Sequence, residues 1–262
     1  MHLSNVKTRP RLVPGLVSIT FRALGPEAII ELVQRAGLRA IEWGADVHVP
    51  PTDVGRARAV GLRTREAGLA VSSYGSYYKA GRDPHSFAAI LQSAVALGAP
   101  RIRVWAGEFD AEKADAAQRA ETERDLQRIV NMAAGEGIRV AVEFHGGTLT
   151  SNAASAVELL RAVEGLETYW QPRVGATPAS VLADMQALAP NLCHAHVFQW
   201  DACAARYPLS DGAACWPRYL AALSQLDRPL HVQLEYVKDD RPEQLVEDAA
   251  TLMGWIAKQS AG

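Results

Sequence analysis

Four side chains of the sequence could together hold a divalent cation: Glu143, Gln171, His196 and Glu235. Each sits in a short β-like run, respectively IRVAVEF (138–144), TYWQPRVG (168–175), LCHAHVF (192–198) and LHVQLEYV (230–237). Side chains alternate between the two faces of a strand. Ala141, Glu143 and His145 therefore share one face of the first run, opposite Val140, Val142 and Phe144. The same reading groups Tyr169 with Gln171 against Trp170, and His194, His196 and Phe198 against Cys193, Ala195 and Val197. It places His231, Gln233 and Glu235 opposite Val232, Leu234 and Tyr236. In RIRVWAG (101–107), Arg103 and Trp105 oppose Ile102 and Val104, and in LRAIEW (38–43), Glu42 opposes Ile41 and Trp43. If these strands line one barrel, the polar sets point to its axis. Carboxylates in such an interior need partners. Arg103 could pair with one of them, or a cation could be held by all four groups. Oxygen donors with one imidazole suit Mn²⁺, Mg²⁺, Co²⁺ or Zn²⁺; without a thiolate, Mn²⁺ or Mg²⁺ is favoured.

Other residues fit a site around such a centre. His145 faces the same way as Glu143 and nearer the solvent, as a general acid or a partner of a substrate hydroxyl. Glu42, Tyr74, Tyr77, Arg103 and Trp105 could line a substrate pocket, since aromatic faces stack on apolar C–H faces. His48 lies in a loop with two prolines after the second strand and is a candidate substrate contact. His194 and His231 are deeper and read as satisfied core histidines. Gly146-Gly147-Thr148 could offer backbone N–H groups to a phosphate near a helix start. The mixed-charge run EKADAAQRAETERDLQR (112–128) reads as a solvated helix face.

The elements that must position these groups alternate regularly. Eight β-like runs, which also include GLVSITF (15–21) and LAVSSYG (69–75), are separated by amphipathic stretches such as PEAIIELVQRAG (26–37), PHSFAAILQSAVALGA (84–99) and RPEQLVEDAATLMGWIAK (241–258). Pro26, Pro84, Pro178 and Pro242 stand where first helical turns would begin. Gly37, Gly68, Gly98 and Gly137 stand where helices would end. Eight units of about 33 residues predict an α/β protein, a single (β/α)8 barrel whose active site is built at the C-terminal ends of the strands. No Gly-rich phosphate turn follows the first strand, which argues against an open doubly wound sheet. No composition break appears, so residues 1–262 are expected to be one domain, with 1–13 as an N-terminal extension.

Composition narrows the function classes. The chain has 262 residues, 48% hydrophobic and 21% charged, and a net charge of −2, which argues against nucleic-acid binding. No apolar run has the length of a membrane span. Lys7, Arg9 and Arg11 are followed by no apolar segment of a secretory signal. Three cysteines, Cys193, Cys203 and Cys215, show no CxxC spacing, and the expected location is a reducing cytoplasm.

The segments AIEWGADVHVPP, SSYGSYYKAG, IRVWAG, VAVEFHGGTLT, CHAHVFQWD and VQLEYVKDD, in order along the chain, resemble the xylose-isomerase-like TIM-barrel family, the sugar phosphate isomerase/epimerase group that includes ketose 3-epimerases and inosose dehydratases. The resemblance implies one divalent metal at the barrel mouth, held by Glu, Asp, His and Glu from strands five to eight. Carried over, these are Glu143, His196 and Glu235, with Gln171 at the Asp position. The residues that ketose 3-epimerases use for substrate have no counterpart here, where the chain reads Thr148-Leu149, Arg173-Val174 and Ala202-Cys203.

The activity so implied is isomerisation or epimerisation of a sugar or keto-sugar, by proton abstraction alpha to a carbonyl through an enediolate. Glu143 and Glu235 would be the proton-transfer pair. The same site becomes a lyase of the dehydratase type if a leaving group sits beta to the carbanion, with His145 as acid. A non-catalytic sugar-binding or partner subunit is the remaining reading, prompted by the absent Asp. Phosphodiester cleavage, known in the same fold superfamily, needs more histidine ligands and a basic face than this chain has. The expected partner is a small carbohydrate; a homo-oligomer is left open.

Overall fold

A computed structural model of the chain describes residues 12–259. Eight strands are each followed by a helix. The strands are β1 (Leu12–Val17), β2 (Ala40–Gly44), β3 (Ala70–Lys79), β4 (Arg101–Trp105), β5 (Arg139–Val142), β6 (Glu167–Trp170), β7 (Leu192–Val197) and β8 (Leu230–Leu234). The helices are α1 (Pro26–Arg35), α2 (Val54–Glu66), α3 (Phe87–Leu97), α4 (Ala116–Ala134), α5 (Ala153–Ala162), α6 (Pro178–Leu188), α7 (Trp216–Ser224) and α8 (Pro242–Gln259). All strand pairs are parallel, and β8 returns to β1 with Leu12 opposite Leu230, closing the barrel in sequence order. This is the (β/α)8 fold. β1 takes up Leu12 and Val13 from the expected extension; residues 1–11 lie outside the described residues.

Local sequence sets the helix starts. Pro26, Pro178 and Pro242 each open a helix, where a missing N–H is tolerated. Asp53, Asn152 and Thr177 accept a bond from the third residue beyond, and Asp115 forms a full capping box with Gln118. Pro84 does not open a helix: it lies in a turn ahead of Ser86, the cap of α3. Gly98 closes α3 at φ 74°, a conformation that costs glycine least.

The apolar strand faces expected on the helix side pack there: Ile41, Trp43, Ile102, Val104, Val140, Val142, Trp170, Ala195, Val197, Val232 and Leu234 belong to one buried cluster with the helices. Cys193 departs from strict alternation. Thr168 pairs with Leu192 but Tyr169 with His194, so Cys193 is a bulged residue. Its thiol turns inward to Ala141 and Tyr169. The charged run at 112–128 is also not wholly solvated. Asp125 is buried, accepting from the Tyr78 hydroxyl at 2.5 Å and the Gly81 N–H at 2.7 Å.

Candidate functional site

The strands end so that three of the four candidate ligands are the first residues beyond them. β5, β6 and β8 stop at Val142, Trp170 and Leu234, directly before Glu143, Gln171 and Glu235. His196 lies within β7 and is fully buried. Its Nδ1 stands 3.1 Å from Gln171 Oε1, 3.3 Å from Glu235 Oε2 and 3.8 Å from Glu143 Oε1. Ligand atoms of Glu143, His196 and Glu235 all lie within 4.8 Å of one another. The structure thus brings the expected four residues together at the C-terminal mouth.

Beneath them lies a second layer of charge. Arg103 donates from Nε to Glu42 Oε1 at 2.8 Å and from Nη1 to Glu143 Oε2, and all three side chains are buried. Trp105 Nε1–H donates to the same Oε2 of Glu143 at 3.0 Å. Ser73 donates to the other oxygen of Glu42 at 2.7 Å. Gly75 makes room for this pair: a Cβ there would stand 2.7 Å from Glu42 Oε1 and 2.8 Å from Arg103 Nη2.

Burial alone would push both carboxyls up, but the Arg103 guanidinium holds Glu42 and Glu143 below the usual carboxylate range. Desolvation likewise opposes charge on His196, yet Glu235 and Glu42 raise it to about 10.

These residues fit a divalent cation. Three carboxylates and one guanidinium leave a net charge of −2 around a neutral His196, the charge one such ion would balance. Arg103 and Trp105 occupy Oε2 of Glu143, while its Oε1 faces His196. Nδ1 of His196 faces three oxygens, and Nε2 has no hydrogen-bond partner among the described residues, with Glu42 Oε2 at 3.9 Å. A neutral imidazole that offers Nδ1 to a metal carries its proton on Nε2, directed at a carboxylate behind it. Arg103 pairing and a cation site are therefore compatible, because they use different oxygens of Glu143.

Above this centre opens a cavity of about 480 Å³. Trp105 and His145 line one side, stacked at 5.0 Å and 19°. Phe198, Trp200 and Tyr236 line another, and Tyr77 stands at the rim. The Tyr77 hydroxyl accepts from Arg22 at 2.7 Å and donates to Asp46 at 3.2 Å.

Of the residues expected to meet substrate, Tyr77, Arg103 and Trp105 line the cavity. Glu42 lies below it, paired with Arg103. His48 and Tyr74 are corrections. His48 is buried, with Nδ1 2.9 Å from the Ser18 hydroxyl and Nε2 3.2 Å from the Leu24 carbonyl, and it ties loops together. Tyr74 pairs in register with Trp43 and Ile102, both helix-facing, so its ring packs outward and its hydroxyl donates to Val49 O at 2.6 Å. The Gly147 N–H, considered for a phosphate, already donates to Asp110 Oδ1 at 2.6 Å. His194 is buried and stacked on Tyr169 at 4.5 Å and His231 at 4.8 Å, but neither ring nitrogen has a hydrogen-bond partner among the described residues, so it is not satisfied as expected. Burial holds His194 well below, and His231 down to about 4.

Sequence reasoning missed Trp200, Tyr236, Arg173 and Arg22. Extending the alternation of His196 and Phe198 by one step would have found Trp200. Arg22 and Arg173 sit in loops that no periodicity describes. Tyr236 was placed with Val232 and Leu234 on the helix side; its φ of 54° turns the ring to the cavity instead.

A closed eight-stranded parallel barrel with a carboxylate–imidazole cluster at its mouth defines a class, and the sequence agrees with it. The chain belongs to the xylose isomerase-like TIM barrel family, whose profile matches residues 30–258. A search of curated protein sequences gave no match. Among solved structures, the probable 3-DHS dehydratase AsbF from Bacillus anthracis superposes with a TM-score of 0.78 at 17% identity, covering 92% of this chain and 98% of that one. D-allulose 3-epimerase from Methylomonas sp., in complex with D-allulose, gives 0.72 at 18% identity over 94% and 97%. A xylose isomerase-like TIM barrel protein from Mycobacterium smegmatis, in complex with magnesium, gives 0.67 at 15% identity over 91% of both chains. At these identities the likeness is one of fold.

Proposed function

We propose that this chain is a divalent-metal-dependent isomerase or epimerase that moves a proton alpha to the carbonyl of a sugar or keto-sugar. The observation that carries this reading is the convergence of Glu143, Gln171 and Glu235 on Nδ1 of His196 at the floor of an aromatic-walled cavity. Mn²⁺ or Mg²⁺ is the cation favoured by three oxygen donors and one nitrogen. When bound, it would supply Lewis acidity to the substrate carbonyl. Similarity to an epimerase, a dehydratase and a magnesium-bound relative supports the reading.

The chain's own residues divide the remaining work. Glu235 lines the cavity, has no guanidinium partner among the described residues, and in this reading takes the proton from carbon. Glu143 also borders the cavity, but Arg103 and Trp105 fix its Oε2, leaving Oε1 to act. Return of the proton by Glu235 to the neighbouring carbon gives isomerisation; epimerisation needs a proton on the opposite face of the same carbon, which Glu143 would relay from solvent water. Trp105 and the aromatic side chains opposite exclude water from the apolar face of the substrate. Tyr77 and the Arg22–Asp46 pair at the rim offer partners to its hydroxyls.

A second reading is a lyase. In it His145, stacked on Trp105 within the cavity, would protonate a leaving group beta to the carbon that Glu235 deprotonates.

The test is ¹H NMR in D₂O of Mn²⁺-loaded and metal-free protein with a panel of ketoses and keto-sugars. The reading predicts solvent deuterium at the carbon alpha to the carbonyl for at least one member, only with metal. It also predicts a loss of about 10²–10⁴-fold on Glu235→Gln. Turnover that carries the substrate hydrogen over intact would contradict proton transfer, and an unsaturated product would select the lyase reading.

A further inference from the structure

Tyr236 follows Glu235 and has a left-handed backbone, φ 54°. A ring-bearing L-residue rarely adopts this conformation, because Cβ crowds the following carbonyl, and such outliers persist only when their surroundings hold them. The holding groups are visible. The Tyr236 N–H donates to Thr20 Oγ1 at 3.0 Å, and the Thr20 hydroxyl donates in turn to the Val17 carbonyl at 2.8 Å. The Tyr236 ring lies under two guanidinium groups, Arg206 at 4.6 Å and Arg22 at 5.9 Å, and beside Trp200 at 5.8 Å. Its hydroxyl accepts from Arg22 Nη1 at 3.3 Å. These partners come from the loops after β1 and β7, so three loops meet on one ring.

The consequence falls on Glu235. Its own N–H makes a sheet bond to Val197 O at 3.0 Å, and the next residue is the reversed one. The backbone of Glu235 is thus fixed on both sides. An extended Tyr236 would follow Val232 and Leu234 to the helix side, withdraw from Arg206 and Thr20, and release the peptide that aims the carboxylate at His196.

We propose that Tyr236 is a positioning residue: clamped by Thr20, Arg22 and Arg206, its reversed backbone holds the Glu235 carboxylate against His196 in the conformation that takes a divalent cation. The inference rests on the metal reading above only for its ligand; the placement of Glu235 is a separate, structural claim.

The experiment titrates Mn²⁺ into EDTA-treated wild type and four variants. Thr20→Ala, which removes the acceptor, and Tyr236→Gly, which frees the backbone, should each weaken Mn²⁺ binding by about 10-fold or more, as loss of a supporting contact around a metal ligand does. Thr20→Ser keeps the hydroxyl and should restore binding. Asp239→Gly relaxes another left-handed residue of the same loop, at φ 58°, and should leave binding unchanged, which separates positioning from general loosening. Wild-type affinity in Thr20→Ala and Tyr236→Gly would overturn the proposal, and Thr20→Ala decides if Tyr236→Gly does not fold. Crystal structures of metal-free wild type and Thr20→Ala read the same claim without metal. The variant should lose the 3.3 Å contact of Glu235 Oε2 with His196 Nδ1, and its retention would overturn the proposal. A wild type that takes up no Mn²⁺ would refute the metal reading, while the crystallographic comparison would still decide this one.

Discussion

Arg103 and Glu143 form a buried ion pair in which the guanidinium takes one carboxylate oxygen and leaves the other facing His196. The pair commits one oxygen of Glu143 to structure. It also ties β4 to β5 and, through Glu42, to β2.

Removing the guanidinium leaves two buried carboxylates uncompensated. Arg103→Met is expected to cost about 3–5 kcal/mol in urea unfolding at neutral pH. Arg103→Lys should recover only part of this, because a point charge cannot span both carboxylates as the planar fork does. Equal stability of Arg103→Met and wild type would contradict the assigned pairing.

Gly75 tests the same pair from its backbone side. A methyl group there meets Glu42 Oε1 and Arg103 Nη2 well inside contact distance, so Gly75→Ala should destabilise the fold by about 1–3 kcal/mol. Unchanged denaturation would mean that the pair has room to shift.

Metal-free stability should depend on pH through His196. Its folded pKa, about 10, lies above the unfolded value near 6.5. Its contribution is therefore fully present below pH 6.5 and lost as pH rises through about 10. Glu42 and Glu143 have the opposite sign: their lowered pKa values give stability present above about 4.5 and lost on acidification. Because a cation on Nδ1 must displace the His196 proton, Mn²⁺ affinity should rise with pH up to about 10. Titration calorimetry in buffers of different ionisation enthalpy would show that proton release; a pH-independent affinity would speak against Nδ1 as ligand.

Gln171 is the one amide in the donor set. Gln171→Asp adds a formal charge beside His196 and should raise Mn²⁺ affinity. Unchanged affinity would remove residue 171 from the ligands.

The barrel and the four-residue cluster at its mouth were legible because both rest on period-two alternation in strands buried on both sides. Glu143, His196 and Glu235 each stand out of phase with the apolar residues that face the helices, Val142, Val197 and Leu234 among them. Alternation failed where the backbone broke its period. The bulge at Cys193 turned a thiol inward, and the left-handed Tyr236 turned a ring into the cavity. His48 and Tyr74 were misplaced for another reason. Residue type suggested sugar contact, whereas the phase of β3 with Trp43 and Ile102, and the loop carbonyl beside His48, sent both into the core. Arg103 was recognised as a partner for one carboxylate, but its reach to two depends on the space left at Gly75, a three-dimensional fact.

The central claim is that Glu143, Gln171, His196 and Glu235 hold one divalent cation. Isothermal titration of Mn²⁺ into EDTA-treated wild type and His196→Ala, with circular dichroism to confirm the fold of both, tests it most directly. One Mn²⁺ per wild-type chain and no stoichiometric binding by a folded His196→Ala are expected. Stoichiometric binding by the variant, or none by wild type, would contradict it.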